Sequence, residues 1–324
     1  ISPDEAMRIV QESVPGMDHV GQEAILARLK WLQIARPNQI IPEEKDWSFC
    51  GALAGRGFGK TMMGAAWAWW QGWSEPKTFG AIIAPTRYDA QSVCIEGPAG
   101  ILAQAPPSII KSYNKSELKI TFVNGSTMQG FSASEPDRLR GPQHHWAWCD
   151  ELAAWESGDE VWDMLQFGMR LGDNPQTVWT TTPRPTPSVR RLVNLPGTLL
   201  IRGSTFDNEA NLPASFFQNL AQYDGTKIGR QELMGELLDS EEGGIIKREW
   251  VSLWPRSQPL PPFQIIVVSL DTAFTEKTRN KKSGDPDPTA CTVWGYFDHD
   301  GMVGFLLLDC WEDHLGFPDL VDRA

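Results

Sequence analysis

The sequence is poor in base: 29 lysines and arginines face 41 aspartates and glutamates, a formal net charge of −12. That balance argues against nucleic-acid binding by simple electrostatics, which normally shows as a basic excess. It leaves room for a grip through a small local patch. Cysteine is scarce too. The five present, Cys50, Cys94, Cys149, Cys291 and Cys310, show no C-x-x-C spacing and no even framework. Disulfides and structural zinc are therefore not expected, and a reducing compartment fits best. Five histidines are scattered, and His144 and His145, as neighbours on a strand, would face opposite ways. The longest mainly apolar stretch, Met62 to Trp73, is far short of a membrane span. No secretory leader pattern opens the chain, and its first residue, Ile1, suggests trimming at that end.

What is there is a globular composition. The chain has 324 residues, 41% of them hydrophobic, which gives a prior of two domains with a sizeable core. Fifteen tryptophans are many, and most read as core and interface packing. Residues 1–46 read as a helical segment, with apolar residues at helical spacing from Glu23 to Leu32 and a stop at Pro37.

From Trp47 onward short apolar runs alternate with helical stretches. Ser48–Ala54, Thr78–Ala84, Trp146–Cys149 and Thr177–Thr181 read as strands, and Lys60–Trp73, Arg87–Cys94 and Glu160–Leu171 as helices. Leu118–Phe122 and Thr127–Phe131 flank Asn124-Gly125, a hairpin turn signal. The alternation predicts an α/β domain with a largely parallel sheet. Pro213–Leu238 reads as helical and as a small appended subdomain. Four prolines between Pro255 and Pro262 mark a stiff linker, and beyond it Phe263–Leu270, Ala290–Phe297 and Met302–Asp309 are strand-like. The last residues before Ala324 read as a helix cut mid-element, so the second domain is expected to be incomplete.

The strongest local signal is Ala54-Gly-Arg-Gly-Phe-Gly-Lys-Thr61, between a predicted strand and a predicted helix. It is G-x-x-x-x-G-K-[ST] with alanine in the first glycine slot. Glycines let the backbone of Gly55, Arg56, Gly57, Phe58 and Gly59 turn its N–H groups around phosphates, and the helix start adds positive potential. Lys60 would reach the β and γ oxygens, and the Thr61 hydroxyl would ligate Mg²⁺. Arg56 is unusual in a plain turn and can contact phosphate oxygens.

A second anchor follows. His145-Trp-Ala-Trp-Cys-Asp150-Glu151 is an apolar strand ending in two carboxylates. Asp150 would hold Mg²⁺ and Glu151 would polarise the attacking water. Thr180, Thr181 and Thr182 close a later strand; hydroxyls there can sense the γ-phosphate, although a threonine run also follows from β-propensity. Gln39, 21 residues before Lys60, can read an adenine edge or be an ordinary loop residue. Arg138 and Arg140 lie in a loop just before the carboxylate strand, placed either as an arginine finger, in cis or across a subunit interface, or as a solvated charged loop.

Taken together, the runs Leu53–Thr61, Leu139–Trp155 and Thr180–Pro187 resemble the large terminase subunits of tailed double-stranded DNA bacteriophages. The resemblance covers roughly Gln39 to Asp309. It implies an ASCE-type P-loop ATPase domain over 47–254 with a lid near 205–245, a linker at 255–262, and the start of an RNase H-like nuclease at 263–324. Lys60 and Thr61 become Walker A, Asp150 and Glu151 Walker B, Thr180 to Pro183 the coupling motif, and Gln39 the adenine reader. Arg140 takes the place of a trans-acting finger, with Arg138 the fallback. Asp271 becomes the first metal-binding acid of the nuclease, which would use Mg²⁺ or Mn²⁺ and need further carboxylates beyond this chain. The implied function is ATP-driven packaging of double-stranded DNA into a procapsid. The implied partners are the portal protein, the small terminase subunit and further copies in a ring, in the host cytoplasm and away from membranes. The competing expectation is a superfamily 2 helicase-like translocase, which also carries Asp-Glu but needs a second RecA-like domain.

Overall fold

Six of the short apolar runs align in parallel because helices return the chain across the sheet between them. The computed structural model describes residues 16–44, 46–238, 250–255, 257–272, 289–299 and 301–313, together with Arg8 and Glu12. By internal contacts the chain falls into two units, Ile1–Lys247 and Arg248–Ala324.

The first unit is built on an eight-stranded sheet: β1 (Phe49–Ala54), β2 (Phe79–Ala84), β3 (Ile110–Asn114), β4 (Lys119–Phe122), β5 (Thr127–Ser132), β6 (Trp146–Cys149), β7 (Gln176–Thr181) and β8 (Thr198–Gly203). Their spatial order is β3-β4-β5-β2-β6-β7-β1-β8. From β5 to β8 every pairing is parallel, and β4 and β3 continue the sheet antiparallel. The Asn124-Gly125 turn joins β4 to β5 with Gly125 at φ +87°. The expected α/β class with a mainly parallel sheet is therefore present.

Alternation along the central strands sorts two cores. Cys50, Ala52 and Ala54 of β1, Ile82 of β2, Trp146 and Trp148 of β6 and Val178 of β7 face α1 (His19–Ile34) and α2 (Lys60–Ser74). Leu53, Ile83, Ala147, Cys149 and Trp179 face α3 (Gly158–Gly168) and α4 (Pro187–Val193). α1 starts where the Asp18 side chain accepts from Gly21 N at 2.8 Å, and it stops at Ala35, two residues before Pro37. All five cysteines are free, four of them buried. No helix among the described residues is long and apolar enough to cross a membrane.

Several local expectations are revised. Arg87–Cys94 is one helical turn, Arg87–Asp89, running into a π-helical stretch, Ala90–Ile95. Pro213–Leu238 is not one continuous helix. It holds α5 (Ala214–Leu220) and α6 (Lys227–Glu232), broken where Gly225 takes φ +69° and Thr226 caps α6 by accepting from Gly229 N at 3.0 Å. Strands β3 and β8 and helix α4 were not anticipated. β3 and β8 are the sheet's edges and carry mixed polar and apolar faces.

The second unit contributes β9 (Ile265–Asp271), β10 (Thr289–His299) and β11 (Met302–Asp313), an antiparallel sheet in the order β11-β10-β9. The helix expected before Ala324 lies outside the described residues.

Candidate active site

The three motifs, far apart in sequence, end on one edge of the sheet. β1 runs into the glycine-rich loop, β6 into Asp150 and β7 into Thr182, and all three strands are parallel, so their carboxyl ends coincide. β7 lies between β1 and β6. The threonines are thereby inserted between the loop lysine and the paired carboxylates. Ligands of open α/β sheets bind at this edge.

The loop owes its shape to backbone freedom at two positions. Gly57 and Gly59 have φ of +74° and +96°, and Gly59 is the residue from which α2 starts. The first N–H groups of α2 have no intrahelical acceptor, so they are available to an anion. Gly55, the residue after the alanine, sits against the carbonyl of Leu233: a Cβ there would lie 2.3 Å from that oxygen.

Lys60 is 7% exposed, and its ammonium donates to Ala54 O at 2.9 Å, Gly55 O at 3.2 Å and Thr182 Oγ1 at 2.9 Å. Glu151 Oε1 stands 3.9 Å away. Burial lowers the Lys60 pKa, outweighing the opposing pull of Glu151 and Asp150. Such a cation, held mainly by neutral oxygens, is matched to an incoming phosphate.

Asp150 is 3% exposed. Burial, helped by the charge of Glu151, pushes its pKa up to about 6 against the contrary effect of its hydrogen bond from Thr180. Oδ1 accepts from Thr180 Oγ1 at 2.6 Å, and Oδ2 lies 3.6 Å from Cys94 Sγ. Glu151 is more open, with its side chain 41% exposed. Its Oε2 accepts from Thr182 N at 3.3 Å. Its backbone sits at φ 47°, ψ 49°, a left-handed conformation that costs a side-chain-bearing residue of order 1–3 kcal/mol. Strain of this kind is retained where the surrounding structure fixes the geometry.

The three threonines diverge. Thr182 contacts Lys60 and Glu151. Thr180 donates to Asp150 Oδ1 on one face of the sheet, and Thr181, on the other, accepts from Ala153 N at 3.0 Å. Thr61 is half-buried in the first turn of α2. Phe58 is fully buried, under the Arg36 guanidinium at 4.9 Å and against Gly203; its side chain anchors the loop from behind. Gln39 is 5% exposed, its amide donates to Phe58 O at 2.9 Å, and its carbonyl oxygen accepts from Arg36 N at 3.3 Å. Its amide is thus turned onto the loop, a brace for the phosphate-binding backbone. Arg140 and Arg138 are exposed on the turn Pro136–Leu139 and its end, and pair locally with Asp137 and Glu135. Asp271 closes β9 in the second unit, exposed.

Sequence reasoning missed several contributors. Glu232 of α6 pairs with Arg56 at 2.6 Å and accepts Arg56 N at 2.7 Å through its carbonyl. Thr205 donates to Arg56 O at 2.7 Å, and Asn208 to Gly57 O at 2.6 Å. The expected lid segment therefore grips the loop directly. No spacing signal could reveal a partner 176 residues away. Cys94, 56 residues from Asp150, gives no spacing signal either, and Trp148 and Trp155, although close to Asp150 in sequence, read there only as apolar packing residues.

A family profile described as "Terminase large subunit, T4likevirus-type, N-terminal" matches residues 52–253. Among solved structures, the large terminase ATPase domain of Thermus phage P74-26 aligns at 17% identity and a TM-score of 0.52, covering 63% of this chain and 94% of its own. The large terminase of another thermophilic bacteriophage aligns at 15% identity and a TM-score of 0.51, covering 92% of this chain and 71% of its own. The complex of that second terminase with ADP gives 14% identity, a TM-score of 0.50 and the same coverage. No curated protein matches. At these identities the structural likenesses establish the fold, and the profile covers more than half of the chain: it belongs to the terminase large subunit family, T4likevirus-type.

Proposed function

We propose that this chain hydrolyses ATP as a motor subunit driving viral double-stranded DNA into a procapsid. The observation that carries the proposal is the meeting of Lys60 with Thr182 Oγ1 at 2.9 Å and Glu151 Oε1 at 3.9 Å, at the edge where the glycine loop opens. In this reading Lys60 and the loop N–H groups hold the β- and γ-phosphates. Thr61 and Asp150 would hold Mg²⁺; a hydroxyl and a buried carboxylate are the all-oxygen donors a hard cation takes. When bound, Mg²⁺ neutralises charge developing on the phosphate oxygens. Glu151, the more exposed carboxylate, orients the attacking water and takes its proton. Arg56, paired with Glu232, steadies the loop and can turn to the γ-phosphate; Thr182 registers the loss of that phosphate. The second thermophilic-phage terminase was solved with ADP, which supports a nucleotide at this edge.

Arg140, or failing it Arg138, is read as a finger completing a neighbour's site in a ring, because both are exposed and, among the described residues, each pairs with a carboxylate three positions before it. Portal protein, small terminase subunit and DNA are the partners, and the host cytoplasm the place. The second unit is read as the start of an RNase H-like nuclease: three antiparallel strands, with Asp271 at the end of the first as one ligand for Mg²⁺ or Mn²⁺. That sheet is not of the RecA type a helicase-like translocase would need, which favours the packaging motor. The test is Mg²⁺-dependent ATP turnover by the wild type and by Lys60→Ala and Glu151→Gln. Both variants should lose it, and undiminished turnover in both would remove the assignment.

A further inference from the structure

The buried tryptophans of the first unit differ in one respect. Among the described residues the buried indole N–H groups of Trp47, Trp67, Trp69, Trp146 and Trp179 meet no acceptor. Those of Trp148 and Trp155 do, and both converge on Asp150. Trp155 Nε1 donates to the Asp150 carbonyl at 3.1 Å, and Trp148 Nε1 to Thr180 Oγ1 at 3.1 Å.

Donor direction follows from chemistry. An indole N–H can only donate. Thr180 Oγ1 must therefore accept from Trp148, and its single hydrogen is left for an oxygen. Two are in reach: Asp150 Oδ1 at 2.6 Å and Cys149 O at 3.3 Å. The shorter contact, to a carboxylate, is the stronger. Cys94 Sγ, from the π-helical stretch, stands 3.6 Å from the other oxygen, and Asp150 N donates to Ile83 O at 2.8 Å. Each polar atom of Asp150 thus has a partner, and the carboxylate is held in one orientation. Trp148 also touches the helix that carries Lys60 and Thr61: a Cβ at Gly64 would fall 2.2 Å from Trp148 Nε1.

We propose that Trp148, acting through Thr180, is a positioning residue that aims the Asp150 carboxylate at the divalent cation accompanying the nucleotide. The inference rests on Asp150 being the cation anchor. It gives the threonines separate roles, with Thr180 serving the carboxylate and Thr182 facing Lys60. Partners that orient metal ligands typically matter on the order of 10-fold or more in metal affinity or activity.

The test combines a nucleotide-free readout with a cation-dependent one. In ¹H–¹⁵N spectra of the free protein, Thr180→Val should shift the Trp148 indole signal and leave those of Trp47 and Trp67 in place. ADP affinity is then measured by calorimetry with and without Mg²⁺. Trp148→Phe, which keeps an aromatic ring and loses the N–H, should cut the enhancement by Mg²⁺ by roughly 10-fold and leave the Mg²⁺-free affinity alone. Thr180→Val should do the same, Thr180→Ser should keep the enhancement, and Trp148→Phe with Thr180→Val should be no worse than Thr180→Val alone. A Trp148→Phe protein that melts lower yet keeps the Mg²⁺ enhancement within about 2-fold, well under the cost expected for such a partner, overturns the proposal, because the role is then packing alone. Asp150→Asn serves as the separate control. If the enhancement survives in it, the anchor assignment itself fails, whatever Trp148 does.

Discussion

Replacing Gly64 by alanine should destabilise this protein, although alanine is the better helix former. Gly64 lies inside α2, where exchange for alanine alone would gain about 1 kcal/mol. The added methyl, however, would sit 2.2 Å from Cε2 and Nε1 and 2.6 Å from Cζ2 of Trp148, against an ordinary carbon contact of about 3.5–4 Å. Trp148 is fully buried and cannot swing into solvent. Forcing it aside carries an overpacking cost of about 1–3 kcal/mol. Moving the ring also breaks its bond to Thr180 and strands a buried N–H, about 1–3 kcal/mol more. The net loss is about 3 kcal/mol, which for a unit of this size lowers the melting temperature by roughly 6–12 °C. Calorimetric or dichroic melts of the nucleotide-free protein measure it. In a Trp148→Leu background, where the ring is gone, the same substitution should become neutral or stabilising. A Gly64→Ala protein melting at or above the wild type would refute the packing argument.

Other outcomes follow from the same geometry. ATP at 100 times its Kd should stabilise the wild type by about 2.7 kcal/mol; Lys60→Ala, losing two charge-assisted contacts of about 1.5–3 kcal/mol each, should show almost none of this in thermal-shift assays. Gln39→Ala should weaken ATP and GTP binding by the same factor, since its amide braces the loop; a selective loss for ATP in competition binding would mean that it reads the base. Arg56→Ala should move stability by less than about 1 kcal/mol, because the Arg56 side chain is 65% exposed, while turnover falls; a large drop in melting temperature would contradict this. His144, with neither ring nitrogen bonded, is held by burial at a pKa of about 4, against about 6.5 unfolded. Between those values the unfolded chain binds the proton first, so this residue costs stability as pH falls, by up to about 3 kcal/mol at pH 4. Relative to wild type, His144→Leu should therefore gain stability on acidification from pH 6.5 to 4.5, and a pH-independent difference in denaturant melts would refute the linkage. Asp150, raised to about 6, acts in the opposite sense and offsets part of the wild-type slope.

The expected lid and the loop are one mechanical object. The backbone bond from Arg56 N to Glu232 O ties α6 to the glycine turn, the Thr205 hydroxyl donates to Arg56 O, and Thr205 N donates to Leu233 O at the end of α6; the Arg56–Glu232 pair lies over the first of these. A shift of the loop backbone at Arg56 would therefore be felt at α6 through short hydrogen bonds. An exposed ion pair alone would be too weak a connection.

Local requirements were legible in the sequence. A glycine loop needs left-handed backbone at Gly57 and Gly59 and a lysine at the helix start, and those demands concern eight consecutive residues, Ala54 to Thr61. The strand ending in Asp150 and Glu151, the Asn124-Gly125 turn and the alternation that makes a parallel sheet are likewise written over short spans. Contacts across the sheet were not. That β7 lies between β1 and β6, so that Thr182 meets Lys60 while Thr180 meets Asp150, is a matter of strand order, which composition and periodicity leave free. The turning of Gln39 onto Phe58 O, the pairing of Arg56 with Glu232 and the choice of Trp148 and Trp155, out of fifteen tryptophans, as donors around Asp150 are likewise tertiary decisions. Sequence sets what each residue can donate or accept; packing, which brings Trp148 within 3.1 Å of Thr180, 32 positions on, and Arg56 within 2.6 Å of Glu232, 176 positions on, decides which partner it finds.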